Sequence, residues 1–163
     1  MTRPFVISRV LDAPRDLVWR SWTEPERLKQ WWGPKGFVVT HVTVDLRPGS
    51  TMHYCLHMPD GSEMWGRFVY REIVKPERLV WVNSFSNRAG GVTVHPMSPT
   101  WPREMLSTAT FEDLGGKTKL SIEWLPLETS TELERKTFED GRESMKMGWT
   151  GTMDQFAAYL AKA

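Results

Sequence analysis

The sequence predicts an α+β protein in which a long C-terminal helix lies against a strongly bent antiparallel sheet of seven strands. Three observations lead to this fold class. Apolar and polar residues alternate in short runs between residues 37 and 124, with turn residues separating the runs. Two short helical segments follow the first strand. Large apolar residues then recur near the C-terminus at the period of one helix face: Met145, Trp149, Met153, Phe156 and Leu160.

The first 36 residues predict one strand and two short helices. Residues 5–11 are rich in β-branched side chains, which favour a strand. Pro14 can open a helix that ends near residue 23, and Pro25 can start a second helix that ends at Trp31 or Trp32. The Gly-Pro-Lys-Gly segment at 33–36 then ends the helical region.

Six further strands are predicted in the middle of the chain. Turn signals such as Pro48-Gly49 and Asp60-Gly61 separate them, and the second of these is typical of a β-hairpin. Within each strand the period of two places alternate residues on opposite faces of the sheet. The predicted strands cover residues 37–46, 51–58, 63–74, 79–85, 105–112 and 117–124.

The C-terminal region predicts a short helix over residues 132–138 and a long one over residues 140–162. Thr131 and Glu134 have the spacing of a capping box before the first of these. The long helix contains Gly148 and Gly151, which weaken an isolated helix by roughly 1 kcal/mol each relative to alanine. Tertiary packing must therefore hold it. Two interpretations remain open at this point: a plain core helix, or a helix whose small residues border a ligand cavity.

Composition excludes several classes of partner. The net charge is +1, from 21 basic and 20 acidic residues, which gives no general attraction to nucleic acid or to an anionic membrane. No apolar run approaches the ~20 residues needed to span a bilayer, and the N-terminus does not resemble a signal peptide. Cys55 is the single cysteine, which fits a reducing compartment. We therefore expect a cytoplasmic protein with no nucleic-acid or membrane partner, in which residues 1–163 form one domain.

Several short motifs of the chain carry a resemblance to known proteins. They are Trp31-Trp32-Gly33-Pro34, Asp45-Leu46-Arg47-Pro48-Gly49, Tyr70-Arg71-Glu72-Ile73, Pro76-Glu77-Arg78-Leu79-Val80 and Gly148-Trp149. The order of elements is similar to the helix-grip superfamily that includes START domains and the birch-pollen allergen. With these motifs, the chain resembles the family named after the activator of the heat-shock-protein-90 ATPase. The segment 95–102 is similar to the bacterial stand-alone subgroup described as polyketide-cyclase-like.

The resemblance implies the helix-grip fold and an apolar cavity between the sheet and the last helix. It implies no cofactor. A chaperone partner is not expected, because the eukaryotic activator has an additional N-terminal domain for which 163 residues leave no room. The remaining expectation is binding of a small hydrophobic or aromatic molecule, in a stress-response or secondary-metabolite context, by a monomer or a homodimer.

Aromatic residues and a few polar ones form the predicted ligand site. The aromatic excess, with nine tryptophans, favours a roomy interior around the last helix. One or two polar groups would orient the ligand. The alternative is a core of ordinary packing density. The candidate site residues are Trp32, His41, Tyr54, Trp81, Asn83, Phe85, Trp101, Trp124, Met145 and Trp149.

Other chemistries have weaker sequence support. No metal site is predicted, because His53 and His57 would lie roughly 13 Å apart along an extended strand and no His-Cys cluster has zinc spacing. No sequence-adjacent group activates Cys55. Two alternatives to binding remain: a cyclase- or hydrolase-like enzyme that uses the same cavity, and a module that regulates a protein partner.

The segment 87–103 is long for a connection inside a domain and is predicted to have a function. It contains Gly90-Gly91 and three prolines. We expect it to act as a lid on the cavity, with Trp101 and Met97 touching the ligand or its entrance. The alternative is that Trp101 is a structural plug at the sheet edge.

Overall fold

A computed structural model describes residues 2–163. Its sheet has seven long strands and one strand of two residues. All its strand pairs are antiparallel, and the order is β1-β8-β7-β5-β4-β3-β2, with β6 paired to β5 outside this path. The strands are β1 (Phe5–Leu11), β2 (Val38–Val44), β3 (Thr51–His57), β4 (Glu63–Val74), β5 (Arg78–Ser86), β6 (Val92–Thr93), β7 (Met105–Asp113) and β8 (Thr118–Pro126).

The fold class and the seven predicted strands are confirmed. The eighth strand, β6, was not predicted, because Val92–Thr93 is too short to show a period and lies in the segment interpreted as a loop. Its partners are Phe85 and Ser86 at the end of β5. The start of the predicted lid is therefore hydrogen-bonded to the sheet.

Four helices accompany the sheet: α1 (Arg15–Thr23), α2 (Pro25–Trp31), α3 (Glu132–Asp140) and α4 (Arg142–Leu160). Thr131 and Glu134 form the predicted capping box at the start of α3. The last helix is shorter than the predicted 140–162, because Gly141 separates it from α3 and residues after Leu160 leave the helix. None of the helices in residues 2–163 is long and apolar enough to cross a membrane.

The densely packed part of the core lies under the C-terminal half of α4. Phe156 is fully buried, and its ring centroid is 4.2 Å from that of Trp31 on α2 and 6.3 Å from that of Trp22 on α1. The Trp31 indole N–H donates to Ser21 O at 2.9 Å, so its burial leaves no unpaired donor. Burying such a side chain stabilises a fold by roughly 1.5–3 kcal/mol. This packing fixes α4 on the sheet.

Candidate functional site

A cavity of about 670 Å³ lies between the N-terminal half of α4 and the inner face of the sheet. This volume is within the range of ligand pockets, roughly 300–1,000 Å³. Met145, Gly148, Trp149 and Thr152 of α4 line it, whereas Phe156 further along the helix lies in the core outside the lining. The two halves of the helix therefore differ. Large residues pack the C-terminal half, and in the N-terminal half the small residues Gly148 and Thr152 leave space beside Met145 and Trp149.

Aromatic rings form most of the cavity wall. The Phe68 and Trp81 rings are stacked, with centroids 4.7 Å apart and planes at 15°. Trp124 of β8 meets Trp149 of α4 edge to face at 5.4 Å. Trp32, at the end of α2, meets Phe68 edge to face at 5.6 Å. These contacts hold the rings in place, so the apolar wall has a defined shape.

Several indole N–H groups of this wall are buried without a conventional acceptor. Within residues 2–163, the Nε1 atoms of Trp81, Trp124 and Trp149 have no hydrogen-bond partner. Edge-to-face ring packing, as between Trp124 and Trp149, offers only the weak acceptor of a π face. The described part of the wall therefore contains three buried indole donors without a conventional acceptor.

Tyr54 lies across the neighbouring strand because that strand has a glycine opposite it. Tyr54 of β3 pairs with Gly66 of β4, and a Cβ atom on Gly66 would overlap the phenol. A glycine opposite an aromatic residue is a known way for a sheet to accept a flat ring. Burial raises the pKa of the Tyr54 phenol to about 12, although the nearby Trp32 indole opposes the rise. The phenol is therefore neutral and able to donate at physiological pH.

Asn83 is a second polar group of the cavity, and a buried serine fixes its orientation. The hydroxyl of Ser107, which is fully buried on β7, donates to Asn83 Oδ1. The side-chain oxygen is thus occupied inside the protein, and Asn83 also lines the cavity. Its amide NH₂ group remains as a hydrogen-bond donor for a ligand.

His95 comes from the loop and lines the same cavity. Its ring packs on Phe85 with a centroid distance of 4.8 Å, and its Nδ1 accepts the Met97 backbone N–H at 3.0 Å. Burial lowers the pKa of the His95 imidazole below its usual value, so the ring is neutral at physiological pH. Because Nδ1 is an acceptor in this neutral ring, Nε2 carries the proton and donates.

The end of the loop is docked on α3 and on the start of α4. Trp101 lines the cavity and lies against Gly141, where an added Cβ would be 2.9 Å from Trp101 Cζ3. The Thr100 and Thr137 hydroxyls are hydrogen-bonded at 2.9 Å, and the Arg103 N–H donates to a Glu134 carboxylate oxygen at 2.9 Å. Trp101 is half-buried. It thus both touches the cavity and packs on the helix junction, and the lid interpretation stays a prediction.

Nine of the ten predicted site residues line the cavity, and His41 does not. Regular alternation from Val39, which pairs with cavity-lining Leu56, would bring His41 inward. A register shift between Val39 and His41 instead pairs His41 with Cys55 on the outer face, where its side chain is exposed. The bulge therefore moved His41 to the wrong side of the sheet for a ligand contact. The nine residues in the lining are Trp32, Tyr54, Trp81, Asn83, Phe85, Trp101, Trp124, Met145 and Trp149.

The structure also changes the assignment of two loop residues. Met97, expected at the ligand or its entrance, is 84% exposed and lies outside the cavity lining. His95 was not predicted in the site. Nothing in a loop with no period distinguishes an inward histidine, and the one usable signal was its place in the motif at 95–102.

The cavity lining is nearly free of charged groups. Asp140 is the acidic side chain among the lining residues that lie within 2–163, and it is exposed at the rim, where Lys136 Nζ is 3.4 Å from its Oδ2. Serine and threonine residues share the rim. A site without a buried counter-charge favours an uncharged molecule, because an unpaired ion is costly to bury.

Comparisons with known proteins agree with this architecture. A sequence model of the family described as "Activator of Hsp90 ATPase homolog 1-like protein" matches residues 12–161. A crystal structure of a Mycobacterium smegmatis protein is similar with a TM-score of 0.78 and 21% identity, over 98% of this chain and 91% of that chain. A Nitrosomonas europaea crystal structure has a TM-score of 0.76 and 25% identity, over 98% and 94% of the two chains. No curated protein matches the chain. The structural similarities establish the fold.

Proposed function

Because the chain belongs to the family of activator of Hsp90 ATPase homolog 1-like proteins, whose fold is generally a ligand-binding one, we propose that it binds a small, uncharged aromatic or apolar molecule that carries a hydrogen-bond acceptor. The cavity of about 670 Å³ between α4 and the sheet is the observation on which this proposal rests. Its aromatic lining would supply the affinity, and its few polar groups would orient the ligand.

The polar groups of the cavity define the ligand's complementary chemistry. The Asn83 amide, the Tyr54 phenol and the His95 Nε2–H are all donors in the arrangement described above. A ketone, ether or similar oxygen on an otherwise apolar ligand would accept from them. A cationic amine would find no buried carboxylate among the described lining residues, so we expect it to bind poorly.

The same groups favour binding over acid–base catalysis. A general base must be able to take a proton near the operating pH. The free nitrogen of His95 already carries its proton, and the phenol of Tyr54, with a pKa of about 12, also holds its own. In this arrangement both side chains can donate hydrogen bonds and neither can act as a base.

A pair of isosteric ligands tests the proposed chemistry. Acetylnaphthalene and isopropenylnaphthalene have nearly the same shape, but only the ketone has an acceptor oxygen. We expect each to displace the neutral dye N-phenylnaphthylamine, and the ketone to bind roughly 2- to 10-fold more tightly, as one neutral hydrogen bond gives about 0.5–1.5 kcal/mol. Equal affinities would contradict the proposed donors, and failure of both ligands to displace the dye would contradict the binding function.

A matched pair of variants locates the donor. Tyr54→Phe removes a hydroxyl that belongs to the cavity, whereas Tyr159→Phe removes one that lies outside it and accepts from Arg27 Nη1 at 3.0 Å. We expect Tyr54→Phe to reduce the preference for the ketone and Tyr159→Phe to leave it unchanged. Native mass spectrometry of protein purified from its own host would then give the mass of a retained ligand.

A further inference from the structure

Three potential metal ligands meet on the outer face of the sheet, opposite the cavity. Tyr54 and Leu56 line the cavity, so Cys55 and His57, which alternate with them along β3, face the other side. His57 pairs directly with Glu63 at the start of β4, which brings a carboxylate to the same face. Spacing along one strand does not reveal this set, because its carboxylate comes from the neighbouring strand.

The geometry points to a site for a divalent metal of borderline softness such as Zn²⁺, and we propose that Cys55, His57 and Glu63 bind it. The thiol sulfur, an imidazole nitrogen and a carboxylate oxygen of these residues all lie within 4.8 Å of one another. His57 Nε2 is 3.2 Å from Glu63 Oε2. Ligand atoms around a tetrahedral zinc ion are roughly 3.4–3.6 Å apart. Small side-chain rotations would therefore complete the site.

The three ligand types favour some metal ions over others. Thiolate and imidazole are ligands that Zn²⁺ prefers, whereas Mg²⁺ and Ca²⁺ require oxygen ligands. Three protein ligands leave a fourth tetrahedral position for water. The Cys55 side chain is 1% exposed, and its thiol has only a long contact of 3.9 Å to Leu56 O, so it is free to bind a metal when deprotonated.

Neighbouring side chains already hold the carboxylate in place. Arg88 Nη2 donates to Glu63 Oε1 at 2.9 Å, and Trp65 Nε1 donates to the same oxygen at 3.4 Å. Oε2 is hydrogen-bonded to His57 Nε2 at 3.2 Å, and a metal held by both side chains would take the place of that hydrogen bond. The Arg88 guanidinium also lies 5.5 Å from the centre of the Trp65 ring, which fixes both groups. Hydrogen bonds of this kind, made to a ligating carboxylate, orient it toward its metal.

Titration of the reduced protein with Co²⁺ tests the site, because a bound thiolate produces a sulfur-to-cobalt charge-transfer band in the near ultraviolet. We expect one equivalent of Co²⁺ to give the band and Zn²⁺ to abolish it, while Mg²⁺ has no effect. Cys55→Ser should remove the band. His57→Gln and Glu63→Gln, which change partly exposed side chains, should weaken binding at least ~10-fold.

His53→Gln is the matched control, since His53 lies on the same strand face but outside the cluster. It should bind Co²⁺ like the wild type. Zn²⁺ should also raise the thermal midpoint of the wild type and not that of Glu63→Gln, a readout that does not depend on the buried cysteine variant. The proposal is overturned if no charge-transfer band appears, if His57→Gln and Glu63→Gln bind as the wild type does, or if His53→Gln weakens binding equally.

Discussion

At the scale of single residues, Gly66 and Tyr54 are predicted to depend on each other. Gly66→Ala should destabilise the protein by about 1–3 kcal/mol, because the new methyl group overlaps the Tyr54 phenol. In a Tyr54→Val background the same change should cost at least ~1 kcal/mol less. Urea unfolding of the four proteins in this double-mutant cycle measures the difference. Equal costs in both backgrounds would mean that the ring does not lie over Gly66.

His95 is predicted to make stability depend on pH. Burial lowers the pKa of the imidazole in the folded protein, whereas the unfolded chain keeps a value near 6.5. The unfolded state therefore binds more protons below about pH 6.5, so the stability that His95 contributes is present above this pH and is lost as the pH falls. Unfolding free energies from about pH 8 to about pH 5 should fall more in the wild type than in His95→Asn. If the unfolding free energies of the two proteins fell equally with pH, burial of a neutral His95 would be refuted.

At the scale of elements, the two halves of α4 have different roles, and Phe156 tests the packing half. Because Phe156 is fully buried against Trp31, Phe156→Ala should cost roughly 3–5 kcal/mol in unfolding free energy. Met147 on the same helix is 74% exposed, so Met147→Ala should change stability by no more than ~0.5 kcal/mol. A thermal midpoint of Phe156→Ala that matches the wild type would show that α4 is not fixed by this contact.

The loop before β7 is predicted to control exchange of the ligand through Trp101. Trp101→Ala should speed dissociation of N-phenylnaphthylamine, because the indole lines the cavity and packs against Gly141. The substitution should lower the unfolding free energy by less than the ~3–5 kcal/mol lost when a fully buried tryptophan is truncated, since Trp101 is half-buried. Met97→Ala in the same loop should change neither quantity. An unchanged dissociation rate, or a loss of 3–5 kcal/mol, would favour the structural plug instead.

At the scale of the whole molecule, periodicity and turn residues were enough to predict the fold. Strong alternation identified the long strands, and the apolar stripe of residues 145–160 identified α4. The same signals cannot report a local change of register. The bulge at residues 39–41 reversed the direction of His41, and pairing between strands brought Glu63 to His57 across a turn.

The cavity itself was only partly predictable for a similar reason. The strand positions of the aromatic residues indicated which side chains would line a cavity. A sequence does not show, however, whether the space between such side chains is filled or empty. That distinction depends on where small side chains fall on α4, and on the loop that brings His95 to the cavity.

A side chain that fills the cavity from α4 shows whether the cavity is a ligand site. Gly148 and Gly151 both leave open space around an added Cβ, with no described atom beyond their chain neighbours and the local helix backbone within 4 Å, but only Gly148 belongs to the cavity lining. Leucine in a helix extends over the preceding turn, which at position 148 is the turn that contains cavity-lining Ser144 and Met145. Both Gly→Leu variants should gain helix stability, so neither should fail to fold.

The measurement is the affinity of each variant for N-phenylnaphthylamine. Gly148→Leu should lose at least ~10-fold in affinity, since its side chain occupies the space that a ligand would fill. Gly151→Leu should bind the dye as the wild type does. Binding that is equally strong in both variants, or a wild-type protein that binds no dye, would contradict the account of the cavity as a ligand site.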